Sequence, residues 1–130
     1  MLTNDALQNG SGKHIGVALV VEDNIMIALD IESVLQDLGV PNCFIANSVE
    51  SALAVLETRE IAFAVVDVDL GGVTSEEVVA ALDARDLPFA LATGYGEVPP
   101  GLASHGDVPV LMKPFSAETL AMVLKDIGVL

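Results

Sequence analysis

Acidic side chains follow two of the apolar segments in this 130-residue chain. Glu22 and Asp23 come directly after the first segment, and Asp67 follows the third, with Asp69 close behind it. Carboxylates packed together repel one another and raise one another's pKa unless a cation neutralises them. A set of hard oxygen ligands without histidine or thiolate favours Mg²⁺, which keeps several waters and completes its shell with phosphate. These residues therefore predict a magnesium site that can also hold a phosphoryl group.

A hydroxyl and an amine follow two further apolar segments. Thr93 comes after the fourth segment and Lys113 after the fifth. A carboxylate nucleophile can form an aspartyl phosphate, and phosphoryl transfer needs mainly positioning and neutralisation of charge. Asp67 stands between two valines at the end of a buried segment, where an unpaired carboxylate would be energetically costly, so a functional role is favoured. Asp67 is therefore the candidate phosphoacceptor, with Thr93 and Lys113 as groups that contact the phosphoryl oxygens.

Strands and helices alternate in the elements that must position these groups. Continuous apolar runs predict buried parallel strands at residues 15–21, 43–46, 61–66, 88–92 and 108–112. An apolar stripe over residues 24–38, ended by Gly39, predicts an amphipathic helix. Capping patterns predict further helix starts at Asn47, Thr74 and Ser116.

This alternation predicts the α/β class, with a doubly wound five-stranded parallel sheet of the flavodoxin-like type. The carboxyl ends of such strands meet at one edge of the sheet, so the acids, Thr93 and Lys113 should converge there. Residues 94–107 contain glycines and a Pro-Pro-Gly string without a helical stripe, so the fourth helix is expected to be short or irregular. Residues 1–13 are expected to form a flexible tail, and residues 14–130 the folded domain.

The composition excludes several classes of function. The formal net charge is −14, and a surface that acidic repels nucleic acid and anionic lipid, so neither is an expected partner. A single cysteine rules out a disulfide within the chain and a zinc-type cluster. The N-terminal residues lack a signal-peptide pattern and no apolar run is long enough to span a membrane, so the expected compartment is the cytoplasm.

Four short strings, each at a predicted strand end, resemble the response-regulator receiver family, also called CheY-like. They are Val-Val-Glu-Asp ending at Asp23, Val-Val-Asp-Val-Asp-Leu-Gly-Gly around Asp67, Ala-Thr-Gly around Thr93 and Met-Lys-Pro-Phe around Lys113. The resemblance extends from about residue 15 to the C-terminus. It implies a protein that accepts a phosphoryl group from a histidine kinase onto an aspartate, with Mg²⁺ as cofactor.

The resemblance also assigns roles to residues. By it, Glu22 and Asp23 form the metal-binding acidic pair, Asp67 is both phosphoacceptor and metal ligand, and Asp69 offers its backbone carbonyl to the metal. It further implies that Thr93 is the switch hydroxyl. Lys113 is then the lysine that pairs with the phosphate, before a proline usually held in cis.

Residues 89–96, Phe-Ala-Leu-Ala-Thr-Gly-Tyr-Gly, are similar to a receiver subgroup with a Phe-Ala-Thr-Gly-type motif. Many members of that subgroup are single-domain proteins linked to kinases of the HWE or HisKA2 type, although this chain inserts Leu91. Many receivers carry an aromatic residue where this chain has Val110, so Tyr95 is the candidate for the switch residue. Replacing Tyr95 with alanine is expected to disturb coupling to a partner without affecting phosphorylation; unchanged coupling would remove the idea.

The sequence thus predicts a stand-alone receiver without an output domain, which signals through contact with an unknown downstream protein or drains phosphate from a kinase. It is expected to be a phosphoacceptor rather than an enzyme with turnover. Asp67 and Asp69 also spell the Asp-x-Asp motif of haloacid-dehalogenase-like phosphatases, although that family places its motif after the first strand. A receiver-like module that only binds a partner is a third interpretation.

Overall fold

The computed structural model describes residues 16–94, 102 and 108–130. Strands β1 (Ala18–Val21), β2 (Cys43–Ala46) and β3 (Phe63–Asp67) are joined by helices α1 (Ile25–Asp37) and α2 (Val49–Thr58). A small hairpin of β4 (Asp69–Leu70) and β5 (Val73–Thr74) follows, and then α3 (Glu76–Ala84), β6 (Phe89–Thr93), β7 (Val110–Met112) and α4 (Ala117–Asp126).

Five of the strands form one parallel sheet in the order β2-β1-β3-β6-β7. This is the predicted doubly wound α/β fold. The chain moves from β1 outward to β2 and then returns to the other side of β1 with β3. In such sheets the crevice at the carboxyl ends of the strands, where the order reverses, is where ligands bind. That crevice lies between the ends of β1 and β3, at Glu22 and Asp67.

Both faces of the sheet are covered, which explains why the strands are apolar throughout. In β1, Ala18 and Val20 pack into the cluster that contains residues of α1 and α4. Leu19 and Val21 pack into the opposite cluster, which contains residues of α2 and α3 and the side chain of Leu102. Successive side chains of a strand point to opposite faces, so a strand buried on both sides shows no polar alternation.

The helix starts correct two of the predicted caps. Ser48, not Asn47, caps α2, because its side chain and that of Ser51 each accept a hydrogen bond from the other's backbone N–H. Thr74 does not cap α3, because Ser75 is the residue directly before the helix, and Thr74 instead pairs with Asp69 in the hairpin. Ser116 caps α4 as predicted, accepting from the Thr119 N–H at 3.1 Å.

Some predictions fall on residues that are not described. The tail of residues 1–13 and Tyr95 lie outside the described residues, as does nearly all of the segment 94–107 in which a short or irregular helix was predicted. None of the helices in the described ranges is long and apolar enough to cross a lipid bilayer.

Ser75 precedes α3 and is fully buried, and its hydroxyl is the one buried side-chain polar atom without a hydrogen bond among the described residues. It caps nothing, unlike Asn24, Ser48 and Ser116 at the other described helices. An unpaired buried hydroxyl costs about 1–3 kcal/mol of desolvation. Ser75→Ala is therefore expected to leave the free energy of unfolding unchanged or to raise it by about 1 kcal/mol, as measured by urea denaturation.

The matched control is Ser116→Ala, which removes a working cap and is expected to lower the free energy of unfolding by about 1 kcal/mol. Equal losses in the two variants would show that the Ser75 hydroxyl does stabilise the fold.

Cys43 lies on the edge strand β2, with its Sγ 3.5 Å from Oε2 of Glu32 on α1. Burial is the main cause and this contact with a carboxylate the second cause of a raised pKa of the Cys43 thiol, which is about 12. Only the thiolate reacts with alkylating agents. Alkylation by iodoacetamide, followed by mass spectrometry, is therefore expected to accelerate about tenfold per pH unit from pH 8 to pH 11. Glu32→Gln should lower the pKa of Cys43, so that the alkylation rate increases at lower pH than in the native chain. An alkylation rate that reaches a plateau near pH 9 in the native chain would contradict the raised pKa.

Candidate functional site

Glu22 is held at the end of β1 by contacts on both of its carboxylate oxygens. Its backbone N–H donates to the carbonyl of Ala46 at 2.9 Å, which continues the ladder between β1 and β2. Oε2 accepts a hydrogen bond from the Asn24 N–H at 3.1 Å, and Oε1 accepts one from Lys113 Nζ at 2.7 Å. The Glu22 side chain is buried, whereas that of Asp23 is exposed. The acidic pair therefore has one fixed member and one that faces solvent.

Asp67 is the last residue of β3 and is only 5% exposed. The strand ladder holds its backbone in register with Ala92 of β6. Its Oδ1 accepts a hydrogen bond from the Asp69 N–H at 3.1 Å, and its Oδ2 accepts one from Lys113 Nζ at 2.7 Å. Asp67 thus lies at the base of a cleft, with both oxygens oriented by donors.

Lys113 connects the two buried carboxylates. Its backbone N–H donates to the carbonyl of Thr93 at 2.9 Å, which places it at the end of β7, and the peptide bond to Pro114 is cis. Its Nζ lies 2.7 Å from Glu22 Oε1 and 2.7 Å from Asp67 Oδ2. One ammonium therefore contacts two carboxylates but offsets only one negative charge, and the cluster with Asp23 keeps a net negative charge.

The pKa shifts follow from this crowding. Burial raises the pKa of the Glu22 carboxyl, and the hydrogen bond from Lys113 offsets the rise only in part. Burial alone would lower the pKa of the Lys113 ammonium, but its hydrogen bonds to Asp67 and Glu22 outweigh that effect and raise the pKa. The two carboxylates therefore stabilise the charged form of Lys113, whereas burial disfavours the charged form of Glu22.

Carboxylate oxygens of Glu22, Asp23 and Asp67 all lie within 4.8 Å of one another, close enough to share one cation. The described residues around them contribute oxygen ligands and one ammonium to a cleft of about 410 Å³. Hard oxygen ligands with room for bound water fit Mg²⁺ better than a transition metal. The donor set therefore fits the predicted magnesium ion.

The other predicted residues lie around this cluster. Thr93 is fully buried at the end of β6, directly before Gly94, which lines the cleft. Asp69 lines the cleft as well, but its Oδ1 accepts a hydrogen bond from the Gly72 N–H at 2.8 Å. The structure thus brings Glu22, Asp23, Asp67 and Lys113 together, and Asp69 lines the same cleft. Thr93 is buried at the end of the neighbouring strand and is not among the described residues that line the cleft.

Sequence reasoning missed two residues that shape the site. Asn24 caps α1 through Oδ1, which accepts from the N–H groups of Met26 and Ile27, and its own N–H donates to Glu22. An asparagine at a helix start is a recognisable capping signal, so this contact could have been anticipated. Gly71 lines the cleft from the hairpin, a contact that only the fold reveals.

Comparison with known proteins identifies solved structures whose fold is similar to that of this chain. A scan against protein-family models finds no match, and a search of curated proteins likewise finds none. Among solved structures, SdrG from Sphingomonas melonis Fr1 is similar at 37% identity, with a TM-score of 0.76, covering 86% of this chain and 95% of its own.

Two further structures have the same fold. The chemotaxis protein CheY4 of Vibrio cholerae is 26% identical with a TM-score of 0.75, covering 88% of this chain and 99% of its own. A CheY-like response regulator receiver domain from Methylobacillus flagellatus is 23% identical with a TM-score of 0.76, covering 88% of this chain and all of its own, 100%.

Proposed function

The chain belongs to the family of CheY-like response-regulator receiver domains, and we propose that it accepts a phosphoryl group from a histidine kinase onto Asp67, in the cytoplasm. The observation that carries the proposal is the position of Asp67. It lies at the base of an acidic cleft, with Oδ2 2.7 Å from Lys113 Nζ and with Glu22 and Asp23 within reach of a shared cation. A nucleophile, a counter-charge and a cation site together are the requirements of phosphoryl transfer.

In the proposed reaction, an Asp67 oxygen attacks the phosphorus of a phosphohistidine in line with the departing nitrogen. The new O–P bond forms as the P–N bond breaks, and the imidazole leaves. When bound by Glu22, Asp23 and Asp67, Mg²⁺ would offset the negative charge of the carboxylates and the phosphoryl oxygens. Lys113 is proposed to transfer its contact from Asp67 Oδ2 to the phosphoryl group, because that group brings more negative charge to the same position. The Thr93 hydroxyl and the Asp69 carbonyl are proposed as further contacts, to the phosphoryl group and the cation respectively.

A groove beside the cleft supports the proposal of a kinase partner. It has a volume of about 330 Å³ and lies between α1 and the segment after β7, and Lys113 lines both the groove and the cleft. Its walls are mainly apolar side chains, among them Ile27, Ile31 and Phe115. An apolar groove of this kind can hold the apolar face of a helix. A kinase helix bound there would present its phosphohistidine near Asp67.

The finer parts of the proposal rest on sequence. They are the Phe-Ala-Thr-Gly-type subgroup, a kinase of the HWE or HisKA2 type, Tyr95 as the switch residue, and a stand-alone signalling or phosphate-sink role. The proposal also holds that the chain acts as a phosphoacceptor without turnover of small substrates. Release of inorganic phosphate from small phosphate esters would instead favour the phosphatase alternative.

Beryllofluoride with Mg²⁺ tests the proposal, since beryllofluoride imitates a phosphoryl group on a carboxylate. NMR spectra of the native chain are expected to shift to a second state at saturating beryllofluoride, and only when Mg²⁺ is present. Asp67→Asn should abolish the shift. Asp69→Asn is the matched control, since its amide oxygen can still accept from the Gly72 N–H, and it should keep the response. No response in the native chain, or the same response in Asp67→Asn, would overturn the proposal.

A further inference from the structure

The hairpin of β4 and β5 forms one wall of the acidic cleft, and Gly71 is the point at which it approaches Asp23. Gly71 lines the cleft together with Asp23 and Asp67. A Cβ atom added to Gly71 would lie 3.4 Å from Oδ2 of Asp23. Nothing is within 4 Å of the corresponding position at Gly72, the next residue of the same turn. A side chain at Gly71 would therefore face Asp23, whereas one at Gly72 would face open space.

The hairpin is anchored, so this wall cannot easily move back. The Asp69 N–H donates to Asp67 Oδ1 at 3.1 Å, and Asp69 Oδ1 accepts from the Gly72 N–H at 2.8 Å. On the other side of the hairpin, the Ser75 N–H donates to the carbonyl of Val68 at 3.3 Å. A side chain on Gly71 would thus stay in van der Waals contact with the Asp23 carboxylate, because the anchored hairpin would not withdraw it.

The exposed Asp23 carboxylate is the part of the cluster most affected by a loss of space. Glu22 and Asp67 are held by hydrogen bonds from Lys113, whereas Asp23 projects into the cleft beside Gly71. A magnesium ion demands nearly ideal octahedral geometry and keeps several waters. A methyl group at the van der Waals limit of Asp23 would restrict both the rotation of the carboxylate and the room for that water.

We infer that Gly71 is a positioning residue for the cation site: its lack of a side chain leaves Asp23 free to turn toward a divalent ion and leaves space for the water of that ion. This inference rests on the proposed function and adds a determinant from outside the acidic cluster. Gly71 is assigned no direct contact with the cation or the phosphoryl group. It acts through Asp23.

The two glycines provide a matched experiment. Both have positive φ, +67° at Gly71 and +92° at Gly72, so an alanine strains the backbone at either position, and more at Gly72, whose φ lies outside the left-handed α range of about +50° to +70°. Of the two, only the alanine at position 71 would contact Asp23. Isothermal titration calorimetry with Mg²⁺ is expected to show an affinity about 10-fold lower for Gly71→Ala than for Gly72→Ala, the lower end of the loss that groups supporting metal ligands produce. The urea midpoint of Gly71→Ala should be no lower than that of Gly72→Ala, so its weaker Mg²⁺ binding would not reflect a larger loss of stability.

A double-mutant cycle separates positioning from a general loss of structure. In an Asp23→Ala background, Gly71→Ala is expected to have no further effect on Mg²⁺ affinity, because the group through which it acts is gone. If Gly71→Ala does not fold, Gly71→Asn against Gly72→Asn makes the same comparison, since asparagine tolerates positive φ better.

The outcomes are distinguishable. Equal Mg²⁺ affinity within either glycine pair, or an equal loss in the Asp23→Ala background, would overturn the role of Gly71 while leaving Asp67 phosphorylation intact. A native chain that bound neither Mg²⁺ nor beryllofluoride would overturn the proposed function, and with it this inference.

Discussion

Replacing Lys113 with methionine is expected to lower the free energy of unfolding by about 3 kcal/mol at pH 8 in the absence of divalent cations. The ammonium of Lys113 lies 2.7 Å from both Glu22 Oε1 and Asp67 Oδ2, and each carboxylate is almost fully buried. Removing one partner of a buried ion pair leaves an uncompensated charge, which typically costs about 3–5 kcal/mol. The lower end applies here because the cleft is open to solvent. Urea denaturation in EDTA measures the loss.

The loss should depend on pH in a defined direction. Burial raises the pKa of Glu22 above its ordinary value of 4.5, so this group opposes folding at neutral pH and the opposition fades as the pH falls. The cost of Lys113→Met should therefore be smaller at pH 5 than at pH 8. In the native chain the raised pKa of Lys113 implies stabilisation that is fully present below pH 10.5 and is lost as the pH rises through the folded value.

The control for Lys113→Met is Lys125→Met, which removes the same charge from the exposed last turn of α4. It should change the free energy of unfolding by less than about 0.5 kcal/mol. Millimolar Mg²⁺ should restore part of the stability of Lys113→Met, since a cation among the carboxylates replaces the missing charge. Equal costs for the two lysine variants would contradict the central position assigned to Lys113.

Replacing Asp23 with asparagine is expected to weaken Mg²⁺ binding by at least about 10- to 100-fold. Mutating a group that only supports a metal ligand causes a loss of that size, and Asp23 is itself a proposed ligand. Its carboxylate oxygen lies within 4.8 Å of those of Glu22 and Asp67, and removing its charge reduces the attraction for a divalent ion. The same change relieves repulsion among the carboxylates, so the cation-free protein should be as stable as the native chain or more so. Calorimetric titration and urea denaturation measure these opposite effects.

Asp30→Asn is the control for Asp23→Asn, because it removes the same charge from an exposed position on α1 that does not line the cleft. Its Mg²⁺ affinity should stay within about twofold of the native value, as expected for a screened surface charge. Similar losses in both variants would mean that the affinity reflects overall charge and not a built site.

The strands and the convergence of the acidic residues could be predicted because each depends on local signals. Apolar runs marked the strands, and the order of a doubly wound sheet places Glu22 and Asp67 on either side of the point where the strand order reverses. Lys113 could be assigned to the same edge on that reasoning. Its simultaneous contact with two carboxylates, 91 and 46 residues away in sequence, depends on packing that no local pattern encodes.

The hairpin of β4 and β5 could not be predicted, because strands of two residues are too short to show periodicity. The Gly71-Gly72 pair is a turn signal, but it does not indicate that Thr74 pairs with Asp69 or that Ser75 precedes the helix. The same hairpin engages the Asp69 side chain and brings Gly71 beside Asp23. The engaged Asp69 side chain and the approach of Gly71 to Asp23, both left open by the sequence, therefore lie between β3 and α3.

The most direct test of the central claim is the intact mass of the chain after incubation with acetyl phosphate. The native protein is expected to gain the mass of one phosphoryl group when Mg²⁺ is present and none when EDTA replaces it. Asp67→Asn should gain nothing under either condition, while Asp69→Asn should still be modified. Modification of Asp67→Asn to the native extent, or of the native chain without a divalent cation, would contradict the assignment of Asp67 as the phosphoacceptor of an acidic, cation-dependent site.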